Sequence, residues 1–263
     1  MSAVDSRIVA DAARRLRDAE AGRIACDPVR NLIAVTDIDS AYAVQQANVA
    51  LGLDAGRRIA GRKIGLTAKV VQAQLGVDQP DFGVLFADMS VDDDGDIELA
   101  HLIAPRVEAE VAFIFERDLV HEVSTAADVM RATAFVVPAI EIVDSRVREW
   151  DISIVDTVAD NASSARYVLG TSPRALTDVD VCAVTMTMTS VDKEVSAGSG
   201  RACLGNPVNA VVWLANVLAA RGEQLRAGDV VLSGALGPMA RVERSGRYEA
   251  SIIGLGTVRV GFV

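Results

Sequence analysis

Two glutamates two positions apart, Glu108 and Glu110, lie in an apolar stretch at residues 105–116 whose composition is typical of a β-strand. Successive side chains of a strand point to opposite faces, so both carboxylates share one face, with Cα atoms about 6.6 Å apart. Two side chains at that separation can close around one cation, and without a cation the like charges are crowded. A third acid, Glu141, stands among apolar residues in a second strand-like stretch at residues 135–143.

These three acids indicate a divalent metal site, because buried charge without a partner is costly and a cation would neutralise it. A Glu-x-Glu pair is also common on the solvated face of a strand, and the pattern alone leaves that alternative open. The chain has two histidines, and its three cysteines (Cys26, Cys182 and Cys203) have no C-x-x-C spacing. The ligands would therefore be oxygen atoms, which favours Mg²⁺ or Mn²⁺ over Zn²⁺.

The composition is typical of a globular enzyme. Hydrophobic residues make up 51% of the 263 residues, and the formal charge of -10 comes with no basic cluster that could follow a phosphate backbone. An odd cysteine count argues against a disulfide framework and for a reducing compartment. No secretory signal is visible, and the longest apolar stretch, at residues 210–220, contains Asn216 and is shorter than the ~20 residues that span a bilayer. We expect a cytoplasmic protein without nucleic-acid or membrane partners.

Two further polar residues, Lys63 and Asp81, precede the acidic strands. Lys63 lies between glycines at residues 58–66, where a strand or turn would hold it against the protein body. Asp81 follows a turn signal at the start of an apolar run. A surface lysine and a turn-capping acid are the plain structural alternatives, and spacing alone favours each of them. The polar stretch at residues 146–164 fits two interpretations equally well, a ligand-binding loop and a solvated connector.

Hydrophobic periodicity and end signals predict an α+β fold. Helices are expected at residues 5–22, at 39–53 with Asp39 as N-cap, at 67–75 ending at Gly76, at 124–133 with Ser124 as N-cap, and at 206–221. Many strands with short connections predict a mixed, mainly antiparallel β roll or barrel-like core with flanking helices. Without a visible linker or repeat, we divide the chain into an N-terminal helical cap at residues 1–56 and one compact β-rich catalytic unit at 57–263.

Six ordered segments give the chain a resemblance to one enzyme family. They are GRKIGLT at 61–67, LGVDQPDFGVLF at 75–86, PRVEAE at 105–110, AIEIV at 139–143, DTVADNAS at 156–163 and SGALGPM at 233–239. Together, over roughly residues 57–262, they resemble the 2-hydroxypenta-2,4-dienoate hydratases (2-oxopent-4-enoate hydratases) of the fumarylacetoacetate hydrolase superfamily.

The resemblance implies the β roll or barrel-like fold of the fumarylacetoacetate hydrolase C-terminal part and assigns roles to three groups of residues. The group that would hold Mg²⁺ or Mn²⁺ is Glu108, Glu110 and Glu141. The catalytic pair would be Lys63 and Asp81, with the base unassigned between them. The group that would bind the substrate is Ser163, Ser233, Leu85 and Gly234.

The substrate class that the resemblance implies is a short 2-hydroxy-2,4-dienoate from aromatic or steroid meta-cleavage catabolism. Its carboxylate and C2 oxygen would chelate the cation, which would act as a Lewis acid. Water would add at C4 to give a 4-hydroxy-2-oxoalkanoate, with Lys63 and Asp81 moving the protons. We also expect a homo-oligomer that associates with a downstream aldolase.

Two other functions stay open at this point. A related 2-oxo-3-hexenedioate (4-oxalocrotonate) decarboxylase would use the same chelate to stabilise the enolate left by loss of carbon dioxide. The sequence ALGPM at residues 235–239 is more similar to the hydratase branch. The other alternative is a non-catalytic subunit of a decarboxylase or aldolase complex, and the presence of Lys63, Asp81 and all three glutamates argues against it.

Overall fold

The computed structural model describes residues 5–69, 72, 77, 79–191 and 193–263. Its α-helices are α1 (Ser6–Gly22), α2 (Ile38–Asp54), α3 (Ala126–Ala132), α4 (Ile154–Ala159) and α5 (Pro207–Ala220). Its strands are β1 (Ile59–Gly65), β2 (Asp81–Phe86), β3 (Ser90–Val91), β4 (Asp96–Ile97), β5 (Pro105–Phe115), β6 (Thr133–Asp144), β7 (Ser164–Leu169), β8 (Thr185–Ser190), β9 (Lys193–Ser199), β10 (Val230–Leu232), β11 (Ala240–Arg241), β12 (Gly246–Ile252) and β13 (Gly256–Phe262). Most of the helix predicted at residues 67–75 lies outside the described residues.

The first sheet has the two acidic strands near its centre. Its strand order is β2-β1-β10-β5-β6-β7-β3, and β11 also pairs with β5. The long strands β5 and β6 run antiparallel in a register that sets Glu108 opposite Glu141. The short strand β10 lies between β5 and β1, pairing antiparallel with β5 and parallel with β1. Lys63 and Asp81, on β1 and β2, therefore reach the acidic strands from across β10.

The second sheet has the order β4-β13-β12-β8-β9 and packs its apolar face into the core. Its strands alternate in the expected way, so that Met186 and Met188 of β8 are buried while Thr185 and Thr187 are exposed. Within the described residues, both sheets are mainly antiparallel, with parallel pairs β1–β10, β3–β7 and β4–β13. The predicted mixed, mainly antiparallel β core with flanking helices is confirmed.

Two of the predicted helix caps are wrong by one or two residues. Helix α2 is capped by Asp37, whose carboxylate accepts a backbone amide, while Asp39 lies inside the first turn. Helix α3 is capped by Thr125 rather than Ser124. In both cases two neighbouring side chains could accept the amide, so residue type alone did not decide between them. Helix α5 begins as predicted, after an Asn206 side chain that caps it.

The N-terminal helices are tied to the strand that carries Asp81. Gln45, a buried residue of α2, donates its side-chain amide to the carbonyl oxygens of Phe82 in β2 (3.0 Å) and Val158 in α4 (2.9 Å). Tyr42 of α2 stacks on Phe82 with ring centroids 4.6 Å apart. These contacts fix the first residues of β2 between α2 and α4.

The most apolar helical stretch is a core element. By length and composition residues Gly200–Ala220 could cross a membrane, and 44% of the most apolar window is buried within the protein. The α-helix in this stretch, α5, has only 14 residues and buries Val211, Leu214 and Leu218. It is shorter than the ~20 residues that a membrane-spanning helix needs.

Candidate active site

The three glutamates converge on one face of the first sheet. Glu108 and Glu141 are directly opposed across β5 and β6, and Glu110 is the diagonal neighbour on the same face. One carboxylate oxygen of each residue lies within 4.8 Å of one oxygen of both others. The sequence pattern placed these residues on strands, and the antiparallel register brings them together.

Burial without compensation distinguishes this cluster. Glu110 and Glu141 are fully buried, and Oε1 of Glu110 and Oε2 of Glu141 have no hydrogen-bond partner in the described part of the chain. The other oxygen of Glu110 accepts the backbone amide of Gly234 at 2.6 Å. Burial raises the pKa of Glu108 to about 7 and, together with the neighbouring acids, raises the pKa of Glu110 well above its usual range. Ionising all three carboxylates in this site requires a compensating positive charge.

Lys63 supplies part of that positive charge. Its Nζ lies 3.2 Å from Oε1 of Glu141 and donates to the carbonyl oxygen of Ala162 at 2.8 Å. Burial opposes the charged ammonium, but the surrounding carboxylates, Glu141 and Asp81 foremost, raise the pKa of Lys63 above its usual value. Lys63 and Glu141 therefore form a buried ion pair beside the other carboxylates.

Asp81 begins β2 directly across from Gly65 of β1. Gly65 gives the aspartate room, because a side chain at that position would overlap the Asp81 carboxylate. Oδ2 accepts from the hydroxyl of Thr157 at 3.1 Å, and Oδ1 has no partner over the residues described. Burial raises the pKa of Asp81, and Lys63 opposes that rise. One oxygen of Asp81 is thus available for a ligand or for proton transfer.

A cavity of about 450 Å³ opens onto these groups, and four of the predicted site residues line it: Lys63, Asp81, Glu108 and Ser163. The hydroxyl of Ser163 is buried and has no hydrogen-bond partner among the residues that the structure describes. A polar atom in this state at a cavity wall is suited to binding a polar ligand.

Three other predicted substrate-binding residues, Leu85, Ser233 and Gly234, are not among those that line the cavity, and their role in binding stays a prediction. Leu85 shares the face of Asp81, but it is four positions further along β2 and is fully buried in an apolar cluster. Ser233 is fully buried, with a hydroxyl that, like that of Ser163, has no hydrogen-bond partner among the described residues, and Gly234 uses its amide to hold Glu110. The strand direction carries Leu85 away from the acids, and the β10 loop supports the carboxylates from behind.

The sequence reasoning missed the turn that positions Lys63 and Ser163. Asn161, Ala162 and Ser163 all have left-handed backbone conformations, with φ of 53°, 51° and 57°. The Asn161 side chain holds this turn by accepting from the amide of Val84 (2.7 Å) and donating to its carbonyl oxygen (2.9 Å). Gly83 permits the approach, because a Cβ there would be 2.4 Å from the Asn161 carbonyl oxygen. The available signal was the Asp-Asn pair at 160–161, since asparagine tolerates this conformation better than most residues.

Two further cavity residues, Arg106 and Trp150, were also missed. Arg106 could have been found from the alternation of β5, because it lies two positions before Glu108 and therefore on the same face. Trp150 had no such signal, because it lies in the polar stretch at 146–164 that spacing could not assign.

The residues present fit a hard divalent cation. The donor set consists of carboxylate oxygens, two of which are buried and without hydrogen-bond partners in the described part of the molecule. Hard cations prefer such oxygen ligands, and a cation would offset the cost of burying three acids together.

The chain is similar to enzymes of known name over nearly its whole length. It is 55% identical over 251 residues to 2-keto-4-pentenoate hydratase 1 of Dechloromonas aromatica (strain RCB), covering 95% of both chains. It is 53% identical to the TodF product hydratase of Pseudomonas putida (strain F1), covering 97% of this chain and 95% of the relative.

The fold is similar to that of a solved enzyme, 4-oxalocrotonate decarboxylase from Pseudomonas putida G7 complexed with magnesium and adipate. The TM-score is 0.92 at 32% identity, covering 98% of this chain and 97% of the other. The family model described as fumarylacetoacetate (FAA) hydrolase C-terminal matches residues 58–263. Because this match covers most of the chain, the protein belongs to the fumarylacetoacetate hydrolase C-terminal family.

Proposed function

We propose that the protein is a metal-dependent hydro-lyase that adds water to 2-hydroxypenta-2,4-dienoate or a longer homologue in meta-cleavage catabolism. The observation that supports this most is the cluster of three glutamates, two of them fully buried, next to a cavity that Lys63, Asp81 and Glu108 line. Relatives above 50% identity over nearly the full chain are named 2-keto-4-pentenoate hydratase and TodF product hydratase. The reaction type therefore agrees with both the cavity and the relatives.

Glu108, Glu110 and Glu141 would hold the cation, which we assign as Mg²⁺ or Mn²⁺ because the donors are oxygen atoms. When bound, such a cation supplies Lewis-acid stabilisation of negative charge on a 2-oxo acid. The related decarboxylase is named as a magnesium complex. The amide of Gly234 orients one of these carboxylates, Glu110, from behind.

Overall, the reaction moves protons and adds one water. Moving the C2 hydroxyl proton of the dienoate to C5 gives a 2-oxo-3-enoate. The oxygen of water then bonds to C4, its leaving proton is accepted by the protein, and a proton is delivered to C3. The product is a 4-hydroxy-2-oxoalkanoate, so substrate plus water balance with product, and each of the two steps takes one proton from an oxygen atom and delivers one proton to a carbon atom.

In this proposal Asp81 accepts the proton from water. Lys63 is the positive group that donates a proton or stabilises negative charge on the substrate. Asp81 lines the cavity and has one oxygen without a partner among the described residues, and its raised pKa brings it closer to the range useful for proton transfer. Lys63 is held between Glu141 and the Ala162 carbonyl oxygen, and its raised pKa suits it to stabilise negative charge on the substrate rather than to act as a base. Asp81→Asn should therefore abolish hydration while leaving substrate binding measurable.

The test of the proposed function is turnover of 2-hydroxypenta-2,4-dienoate by metal-stripped and metal-replete protein. Loss of dienol absorbance measures the rate, and NMR identifies the 4-hydroxy-2-oxo product. We expect stripping to lower turnover by ~10² or more and Mg²⁺ or Mn²⁺ to restore it. Near-unchanged turnover in the stripped protein would contradict the metal-dependent mechanism.

Decarboxylation of 2-oxo-3-hexenedioate is the second candidate. The observation that favours it is the similar fold of 4-oxalocrotonate decarboxylase, with a TM-score of 0.92. The same assay with that diacid, followed by carbon dioxide release, separates the two reactions. Release of carbon dioxide at a rate exceeding hydration of the dienoate would assign the protein to decarboxylation.

The assembly and location of the protein form the remaining part of the proposal. We expect a cytoplasmic homo-oligomer that associates with the aldolase acting on its product. Light scattering of the purified protein tests the oligomer, and co-purification with the aldolase tests the association. A monomer at assay concentrations would contradict the first expectation.

A further inference from the structure

Arg106 occupies a distinctive place in the cavity. It lies on β5 two positions before Glu108 and on the same face of the strand. Its side chain lines the cavity and is half-buried, whereas Glu110, two positions beyond Glu108, is fully buried. The face of β5 therefore runs from the buried acids outward to one guanidinium near the cavity opening.

The guanidinium is held in place from two sides without an acid. Its central carbon lies 4.0 Å from the centroid of the Trp150 ring, and Nη1 donates to Sδ of Met239 at 3.2 Å. The Trp150 indole is itself anchored, because its Nε1 donates to the carbonyl oxygen of Ala104 at 2.9 Å. Trp150 therefore fixes the plane of the Arg106 side chain. Trp150 is itself tied to Ala104, two residues before Arg106 in the chain.

The backbone that presents Trp150 is strained. Glu149 and Trp150 both have φ of 57°, a left-handed conformation that is unusual for a bulky side chain. Such conformations cost of order 1–3 kcal/mol each and persist only where the surroundings enforce them, often at ligand-binding sites. The left-handed turn at these two residues places the indole against the guanidinium.

The charge of Arg106 is left without an anionic partner. None of the ion pairs in the part of the chain that the structure describes includes Arg106, and the Glu108 carboxylate acts on its charge only from beyond ion-pair distance. Its one side-chain hydrogen bond goes to a thioether, which is a weak acceptor. The residue opposite it on β11 is another arginine, Arg241, and Glu149 at the cavity wall is exposed and makes no ion pair with it. Several guanidinium donors are therefore free for an anion.

We infer that Arg106, oriented by Trp150, binds the carboxylate of the 2-hydroxydienoate and makes the site selective for acids over neutral analogues. This inference rests on the proposed function. A guanidinium offers a planar fork that matches a carboxylate. The Cα atoms of Arg106 and Glu108 are separated by two strand positions, about 6.6 Å, so one small 2-oxo acid can reach both residues. Arg106 thus binds one carboxylate oxygen of the substrate, and the other oxygen stays available to the metal ion.

The experiment measures ligand binding rather than turnover. Calorimetry compares 2-oxopentanoate, which cannot be hydrated, with its neutral amide, for wild-type protein and Arg106→Met at saturating Mn²⁺. Methionine keeps an unbranched apolar stem but loses the guanidinium and its charge. We expect about ten-fold or more weaker binding of the acid and less than two-fold change for the amide. Mn²⁺ affinity without ligand should stay within two-fold.

Two further variants act as controls. Arg241→Met removes the exposed arginine opposite Arg106 and should weaken the acid less than three-fold. Arg106→Lys keeps a positive charge but loses the fork, and it should retain part of the acid preference. If Arg106→Met does not fold, the lysine variant carries the test, because unchanged acid preference in it contradicts a role for the fork.

The outcomes separate this inference from the proposed function. Equal weakening of acid and amide, or tight acid binding by Arg106→Met, would overturn the role of Arg106 while wild-type hydration still stands. A wild-type protein that neither binds 2-oxopentanoate nor hydrates the dienoate would overturn the proposed function itself.

Discussion

Two clusters of buried charge lie close together in the chain and differ in how completely their polar atoms are paired. Arg146 donates to the carboxylate of Asp160 and to the carbonyl oxygens of Asp144 (2.8 Å) and Ser164 (3.0 Å). Around Glu141, in contrast, oxygens of Glu110, Glu141 and Asp81 lack partners across the described ranges. Both clusters bury charge, so burial alone does not identify a functional site.

The difference indicates what each cluster does. A fully paired buried ion pair fixes local structure, and removing one partner leaves a buried charge uncompensated. Unpaired buried oxygens lower stability unless a ligand completes them, so their presence indicates binding. We therefore expect substitutions at Arg146 to affect folding and substitutions at the glutamates to affect turnover.

The largest expected effect is on stability. Arg146→Met should lower the free energy of unfolding by about 3–5 kcal/mol, because Asp160 is left buried and unpaired. Urea denaturation measures the change. The exposed Arg148→Met is the matched control and should change stability by less than ~1 kcal/mol. A double variant that also carries Asp160→Leu should recover part of the lost stability. A loss of less than ~1 kcal/mol in Arg146→Met would contradict a structural role for the Arg146 cluster.

The next effect is on turnover. Glu108→Ala should reduce turnover by ~10² or more and weaken Mn²⁺ binding, because one of three ligand carboxylates is lost. The wild-type protein should gain about 2.7 kcal/mol of stability at a Mn²⁺ concentration 100 times its Kd, and the variant should lose this gain at the same concentration. Thermal melts with and without Mn²⁺ measure it.

Glu116→Ala, at the exposed end of the same segment, is the control for Glu108→Ala and should match wild type in both assays. If the two variants behave alike, Glu108 is not a cation ligand.

A smaller, mixed effect is expected at Asn161, which lies between the two clusters. Asn161→Ala removes both hydrogen bonds to Val84 and should lower stability by about 1–3 kcal/mol. Because the turn also places the Ala162 carbonyl against Lys63, kcat should fall more than KM changes. Asn161→Asp keeps the acceptor and should recover part of kcat. A loss of stability with unchanged kcat would show that Asn161 stabilises the fold without positioning Lys63.

The smallest effect on stability is expected at Ser163. Its hydroxyl has no partner among the residues described, so Ser163→Ala should leave the free energy of unfolding within ~0.5 kcal/mol or raise it. KM should rise several-fold if the hydroxyl binds substrate. Steady-state kinetics and urea denaturation on one preparation test both parts, and a clear loss of stability would show that Ser163 is paired in solution.

The acidic part of the site could be predicted from the sequence because it depends on short-range rules. The alternation of a strand puts Glu108 and Glu110 on one face, and the next long strand along the chain supplies Glu141. Lys63 could be assigned only through the family resemblance. Its strand meets the acidic strands through β10, a pairing between residues about 170 positions apart that local patterns do not encode.

The parts that sequence reasoning missed depend on backbone conformation. The left-handed residues at 161–163 and at 149–150 have no periodic pattern and lie in polar stretches. Leu85 does not line the cavity, and the resemblance could not show this, because it identifies a segment without the distance of each residue from the cavity. Side-chain type indicated which segments could form the site, and the left-handed turns decided which residues of those segments line the cavity.

The β5–β6 and β1–β10 pairings join residues at very different separations along the chain, and this difference sets an order of assembly during folding. The β5–β6 pairing joins Glu108 to Glu141 with little chain between them, whereas Lys63 must wait for the parallel pairing of β1 with β10. We therefore expect the acids to gather before their internal counter-charge arrives, so that free Mg²⁺ speeds refolding in stopped-flow measurements. A dication would then act as an early folding partner of this chain as well as a later participant in its chemistry.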